Sequence, residues 1–138
     1  QLLRSKGLEE QDMPDFVVIE SHQKVGQAIE LMQRYSISQL AVVRHDPPDT
    51  LADVVGSLQE RSLLDRLFKN PDALNEDVAT AMSPPLAAVD ANESVDQVYA
   101  TMSGGSPAVV VARGGRPAGV LTRSDLLEYL AHSRGNSR

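Results

Sequence analysis

The sequence has no cysteine and no tryptophan among its 138 residues, and aromatic side chains make up only 4% of it. Without thiols there is no disulfide scaffold, no thiolate metal site and no cysteine nucleophile. With so few aromatics, the core that a 41% hydrophobic content allows must be built from Val, Leu, Ala and Ile. Positive charge is also in the minority: 13 Lys and Arg stand against 19 Asp and Glu, for a net charge of -6. Nucleic acid and anionic membrane surfaces both need clustered cations, so neither is expected as a partner. A small anion is a different matter, because a helix N-terminus can hold one in an acidic protein. No apolar run approaches the roughly 20 residues of a membrane-spanning helix, and the N-terminus lacks the charged-then-apolar order of a signal peptide. These absences predict a soluble globular unit of one compact domain or two very small subdomains, cytoplasmic by default. Gln1-Leu2-Leu3 is read as the start of a segment within a longer polypeptide.

What is present is a duplication. Val25, Ala28, Ile29 and Met32 fall at i, i+3, i+4 and i+7, and Val95, Val98, Tyr99 and Met102 repeat the spacing; each set makes one apolar helix face. Ser38-Gln39-Leu40-Ala41-Val42-Val43 and Ser106-Pro107-Ala108-Val109-Val110-Val111 are short, β-branched runs that predict buried strands. Gly56-Ser57-Leu58 and Gly119-Val120-Leu121 open a third pair of blocks, which run into Leu63, Leu64, Leu67 and Leu126, Leu127, Leu130. The three pairs are offset by 70, 68 and 63 residues, with five extra residues in the first half's loop at 44–55, which carries Pro47-Pro48-Asp49. With Phe16-Val17-Val18-Ile19 and Leu86-Ala87-Ala88-Val89 as opening strands, each half reads strand, helix, strand, strand, helix. A three-stranded sheet with two helices is too small to stand alone. The predicted fold class is therefore α/β (α+β), two βαββα repeats packed as a pseudo-twofold pair. Residues 1–12, polar and without periodicity, read as a linker from an upstream region, 13–69 as the first repeat, 70–81 as a connector rich in Asp, Asn and Pro, 82–132 as the second repeat and 133–138 as a tail.

One short pattern carries two chemistries. Thr122 and Asp125 sit where the third strand of the second half gives way to its last helix. Unpaired N–H groups and the helix dipole favour an anion there; the Thr122 hydroxyl can add a hydrogen bond, and the Asp125 carboxylate can accept from two vicinal ribose hydroxyls, as acidic residues do in dinucleotide folds. Thr-x-x-Asp ahead of Leu126-Leu127 is equally the pattern of a capping box, and spacing alone favours the cap. Elsewhere His22, His45 and His132 show no metal-ligand spacing and read as solvated loop or helix-end residues. Gly104-Gly105 and Gly114-Gly115 read as turns, and Lys6, Lys24 and Lys69 lie in no Schiff-base signature. No nucleophile with a base can be assembled, so the chain is not read as an enzyme.

Met82-Ser83-Pro84 before an opening strand, the Pro107-Ala108-Val109-Val110-Val111 run, and Gly119-Val120-Leu121-Thr122-Arg123-Ser124-Asp125 together resemble a tandem pair of CBS domains (a Bateman module), over about residues 14–132. The stretch 56–65, Gly-Ser-x-x-Glu-Arg-x-Leu-Leu-Asp, is most similar to the C-terminal regulatory region of bacterial cystathionine β-synthases. The resemblance implies an adenosine-ligand site in a cleft between the repeats. Thr122, Arg123 and Asp125 would hold ribose and any phosphate, Pro14 and Asp15 with Met13 would line one wall, Ile37, Ser38 and Gln39 would lie near the adenine, and Val120 and Leu121 beneath it. Ile37 reads equally as a core residue, and Met13 as an anchor of the linker. In the symmetry-related site Gln59 replaces the threonine, Ser62 the aspartate, and Glu60 adds a negative charge, so that site is expected to be empty or to have changed its ligand. The implied function is regulatory sensing of S-adenosylmethionine or of AMP, ADP or ATP, controlling an attached enzyme, cystathionine β-synthase. No cofactor is implied within this chain, pyridoxal phosphate belonging only to that upstream enzyme. The implied partners are an adenosine-containing small molecule and a second copy in a homodimer. The alternative is a ligand-free dimerisation module, since the leucines at 63, 64, 67, 126, 127 and 130 exceed what two short helices can hide.

Overall fold

The computed structural model describes residues 16–136. The chain divides into two compact units, Val17–Leu86 and a second beginning at Ala87. The first contains β1 (Val18–Glu20), α1 (Val25–Tyr35), β2 (Gln39–Val43), β3 (Val54–Gln59), α2 (Glu60–Lys69) and a short α3 (Val78–Ala81); the second contains β4 (Ala87–Asp90), α4 (Val95–Ser103), β5 (Ala108–Arg113), β6 (Arg116–Thr122) and α5 (Arg123–Asn136). Each unit has one three-stranded sheet in which the first strand pairs parallel to the second and the second antiparallel to the third. A parallel pair needs a crossover and an antiparallel pair only a turn, so α1 and α4 each lie between the first two strands of their unit. The βαββα order predicted from the duplication is present twice. None of the described helices is long and apolar enough to cross a membrane.

The two cores are built from matching positions. Met32 and Met102, Leu58 and Leu121, and Leu63 and Leu126 are buried members of their respective clusters. Even the turn after the first strand is repeated: the Glu20 N–H donates to Gln23 Oε1 at 2.9 Å, and the Asp90 N–H to Glu93 Oε1 at 2.8 Å.

Strand register corrects the repeat alignment. Val42 faces Gly56 in the first sheet and Val111 faces Gly119 in the second, so β2 and β5 correspond at an offset of 69, not 68, and Gln39 matches Ala108. A slip of one residue normally turns every side chain to the opposite face of the sheet. Here it leaves no trace in sequence, because Leu40 to Val43 and Ala108 to Ala112 are all buried and an unbroken apolar run has no alternation to betray the register. The first-repeat insertion is accordingly six residues: thirteen separate Val42 from Gly56, seven separate Val111 from Gly119. The longer loop carries a 3-10 turn at Leu51–Asp53. The shorter is a hairpin whose Gly114 and Gly115, at φ 59 and 79, take the left-handed conformation that a tight β-hairpin requires. The opening strands are shorter than the apolar runs: Phe16, Val17 and Leu86 lie outside them, since β1 pairs over three residues and β4 over four.

The segment 70–81 does more than connect. It forms a 3-10 helix, Pro71–Asn75, and then α3. Val78 is fully buried in the first core, and its N–H donates to the Gln23 carbonyl at 2.7 Å. Arg66 Nε meets Glu76 Oε1 at 2.8 Å, tying α2 to the same segment. Residues 82–84 then pair with β3. The Ser57 and Ser83 amides and carbonyls exchange hydrogen bonds at 2.9 and 2.8 Å, and the buried Ser57 hydroxyl donates to the Pro84 carbonyl at 2.7 Å. A Cβ at Gly56 would stand 2.5 Å from Met82 Sδ and 2.9 Å from the Ser83 carbonyl oxygen. This close approach of backbone and side chain needs glycine.

Candidate functional site

The β6–α5 junction is built by a change of period. β6 alternates buried and less buried residues up to Thr122, which puts Leu121 in the second core beside α4 and α5 and turns Val120 and Thr122 to the other face. The helix begins at Arg123, making Thr122 its N-cap and Asp125 its third residue. Their side chains close a reciprocal box: Asp125 Oδ2 accepts from the Thr122 N–H and from the Thr122 hydroxyl, both at 2.9 Å, and the Asp125 N–H donates to Thr122 Oγ1 at 3.2 Å. The capping reading of this pattern is therefore realised. It does not exhaust the site, because among the described residues no hydrogen bond engages Asp125 Oδ1, and the first helical N–H groups, those of Arg123 and Ser124, have no acceptor within the helix.

The other residues that the resemblance brought forward are distributed as follows. Leu121 is fully buried, so its side chain belongs to the core rather than to a ligand surface. Val120 is half-buried. Arg123 is exposed and lines the groove between α4 and α5 with Tyr99 and Leu127. In the first unit Ile37 packs on the core cluster, Ser38 is exposed with its carbonyl accepting the Glu60 N–H at 3.0 Å, and Gln39 keeps a buried Oε1 without a hydrogen-bond partner. Buried polar atoms are nearly always paired, so Gln39 stands out among the three. Met13, Pro14 and Asp15 lie outside the described residues. At the first-repeat position matching Thr122, Gln59 precedes α2 and makes no side-chain cap, so the box exists in the second repeat and not at its counterpart.

Sequence reasoning missed one cluster. His45, read as isolated, lies in the inserted loop with its Nε2 at 3.4 Å from Asp53 Oδ2 and its Nδ1 at 3.0 Å from the Pro47 carbonyl. Asp53 Oδ2 also accepts the N–H groups of Asp49 and Thr50 at 2.9 and 3.1 Å, and Oδ1 lies 3.8 Å from Arg44 Nε. Those two backbone donors, with His45 and Arg44 adding to them, hold the Asp53 carboxyl below its ordinary value of 3.8. The spacing of four between His45, Asp49 and Asp53 was the available signal. The carboxylate's bonds to Asp49 and Thr50 make it the organiser of the loop. His22 and His132 make local contacts, with Glu20 Oε1 at 3.2 Å and the Glu128 carbonyl at 3.2 Å.

The CBS domain family model matches the chain twice, over residues 12–69 and 76–132. The chain belongs to the CBS domain family. A pair of CBS domains is a regulatory rather than a catalytic module. Among curated proteins the chain is similar to an inosine-5'-monophosphate dehydrogenase of Methanocaldococcus jannaschii, 28% identical over 128 residues, which is 93% of this chain but 24% of the dehydrogenase; the chain spans about a quarter of that relative's length. Solved structures show the same pair fold. The CBS-pair protein CBSX2 of Arabidopsis thaliana superposes with a TM-score of 0.75 at 16% identity, covering 94% of this chain and 97% of that one. The CBS domain of a bacterial CNNM/CorC family Mg2+ transporter, solved in complex with ATP, superposes at 0.73 with 21% identity, covering 92% and 89%. At these identities the likeness is one of fold.

Proposed function

We propose that this CBS pair takes up an adenosine-containing ligand at the β6–α5 junction and passes its occupancy to an attached enzyme. The observation that supports the reading is the asymmetry of the repeats: Thr122 and Asp125 are joined in one box, with Asp125 Oδ1 accepting no hydrogen bond from the described residues, while Gln59 and Ser62 stand at the matching places. Ribose hydroxyls are donors that a carboxylate accepts without charge conflict. A phosphate is less well served, because the Thr122 hydroxyl already donates to Asp125 and Arg123 lines the α4–α5 groove. This favours S-adenosylmethionine, whose charged tail carries no phosphate. The ATP held by the transporter CBS domain makes the nucleotides the competing class. A ligand that binds one arrangement of the module better than another shifts the attached enzyme by that difference in affinity. The 56–65 stretch supports cystathionine β-synthase as the enzyme, and the archaeal dehydrogenase relative supports an inosine monophosphate dehydrogenase as the alternative.

The second reading, a dimerisation module, is favoured by a separate observation: Leu64, Phe68, Tyr99 and Leu127 are 60 to 87% exposed on the helices, which fits a homodimer through helix faces. The two readings are compatible. Thermal melting with S-adenosylmethionine, AMP, ADP and ATP in turn tests the first. A ligand at a hundredfold excess over its Kd stabilises by about 2.7 kcal/mol, a rise of several degrees for a domain of this size. A flat response to all four compounds leaves the module with its dimerising role alone.

A further inference from the structure

The inserted loop of the first repeat, between β2 and β3, brings an imidazole and two carboxylates together: one donor atom from each of His45, Asp49 and Asp53 lies within 4.8 Å of the other two. The hairpin at the same place in the second repeat, Arg113-Gly114-Gly115-Arg116, has neither kind of group. His45 is oriented from outside the trio, its Nδ1 lying 3.0 Å from the Pro47 carbonyl. A carbonyl only accepts, so Nδ1 carries the proton and the lone pair of the neutral ring is at Nε2. That lone pair is turned on Asp53 Oδ2, 3.4 Å away. An imidazole lone pair and a carboxylate oxygen at this distance repel unless positive charge stands beside them. Asp53 is fixed as firmly, because Oδ2 accepts the Asp49 and Thr50 N–H groups at 2.9 and 3.1 Å, while Oδ1 accepts no hydrogen bond from the described residues. Its side chain is only 14% exposed. Asp49 is exposed and its carboxylate makes no ion pair with a described residue. Arg44, with Nε 3.8 Å from Asp53 Oδ1, is the one adverse charge nearby. It is outweighed by Asp46 and by Glu20, whose Oε2 accepts the Asp46 N–H at 3.1 Å.

We propose that this loop binds one divalent transition-metal ion of the zinc class through His45 Nε2 and the carboxylates of Asp49 and Asp53. The mixed donor set decides the class, since imidazole suits zinc and its first-row neighbours whereas Mg2+ and Ca2+ take oxygen ligands. The surroundings fit as well: a ligating histidine commonly gives its other ring N–H to a carbonyl, and a ligating carboxylate is itself hydrogen-bonded. His45 and Asp53 have those supports already in place. Three protein ligands leave a coordination position for water or an exchangeable group. An ion held there ties the start of the inserted loop to its end, a constraint that the short hairpin of the second repeat does not need. The site lies within the first repeat and is independent of the adenosine reading of the β6–α5 junction.

The absence of native cysteine makes the test clean, because no thiolate competes for the ion. Calorimetric titration of Zn2+ into the chelator-treated, tag-free chain at neutral pH is expected to show one equivalent bound, and Mg2+ in its place no comparable heat. His45→Ala and Asp49→Asn are each expected to weaken Zn2+ binding about tenfold or more, whereas His22→Ala and His132→Ala leave it unchanged. Asp49→Asn keeps the backbone N–H that Asp53 uses, so it removes a ligand without dismantling the loop. Co2+ is the second probe: its visible absorption on binding is expected in the unsubstituted chain and lost in His45→Ala. Zn2+ is also expected to raise the melting temperature of the unsubstituted chain and not that of Asp49→Asn. Binding only at millimolar Zn2+, equal binding in His45→Ala and Asp49→Asn, or binding lost through His22→Ala or His132→Ala would each overturn the proposal.

Discussion

At the scale of single residues, Thr122 and Asp125 form a helix cap, and the ligand role proposed for them can be tested apart from it. Because they form a reciprocal N-cap, Thr122→Ala or Asp125→Ala is expected to cost the unliganded fold about 1 kcal/mol. Thermal melting should show this as a loss of about 3–5 °C. Asp125→Ala should in addition abolish the response to adenosine compounds. An unfolded Asp125→Ala chain would mean that the pair is there for the cap alone. Asp53 supports a prediction of a different kind. Its folded pKa lies below the ordinary value of 3.8 because the Asp49 and Thr50 N–H groups bind the ionised form. A lowered folded pKa means that the unfolded chain binds the proton more tightly. The contribution is therefore fully present above about pH 5 and is lost as pH falls through the lowered value. The melting-temperature difference between the unsubstituted chain and Asp53→Asn should be constant from about pH 5 to 7 and shrink below about pH 4. A difference independent of pH would show that the loop does not use this charge. The box was legible in the sequence as two alternatives. The loop cluster left only the spacing of four between His45, Asp49 and Asp53 as a signal, because hydrogen bonds from backbone N–H groups leave no mark on residue identity.

At the scale of elements, helices were read from their apolar faces and came out where the period of 3.6 put them, as Val25–Tyr35 and Val95–Ser103 show. The connector was misjudged. Its Asp, Asn and Pro content describes turns, yet Val78 fills the first core and has no equivalent in the second, where Ala91 is the additional member. Val78→Ala removes two buried carbons, an expected loss of about 2 kcal/mol, readable by urea unfolding as a lower midpoint with an unchanged slope. A neutral result would show that the segment packs without contributing. β2 and β5 were found but misaligned by one residue, for the reason that made them recognisable: an unbroken apolar run marks a buried strand and conceals its register.

At the scale of the whole molecule, the duplication determines the architecture, and the proposed ligand site rests on the divergence of the repeats. Melting with adenosine compounds and sedimentation of the purified chain test the two proposals at this level, a ligand at one β6–α5 junction and a second copy on the helix faces. The sequence by itself determined two βαββα repeats and their apolar faces, because hydrophobic period and turn residues act locally and survive in linear order. It also determined where the repeats differ, at Gln59 against Thr122 and Glu60 against Arg123. Only the tertiary structure decided the register of the central strands, the capture of Val78 by the first core, the closed box at Thr122 and Asp125, and the unpartnered oxygen of Gln39. Each of these depends on which atoms distant segments bring within hydrogen-bond or packing distance, and that information exists only once the chain has folded.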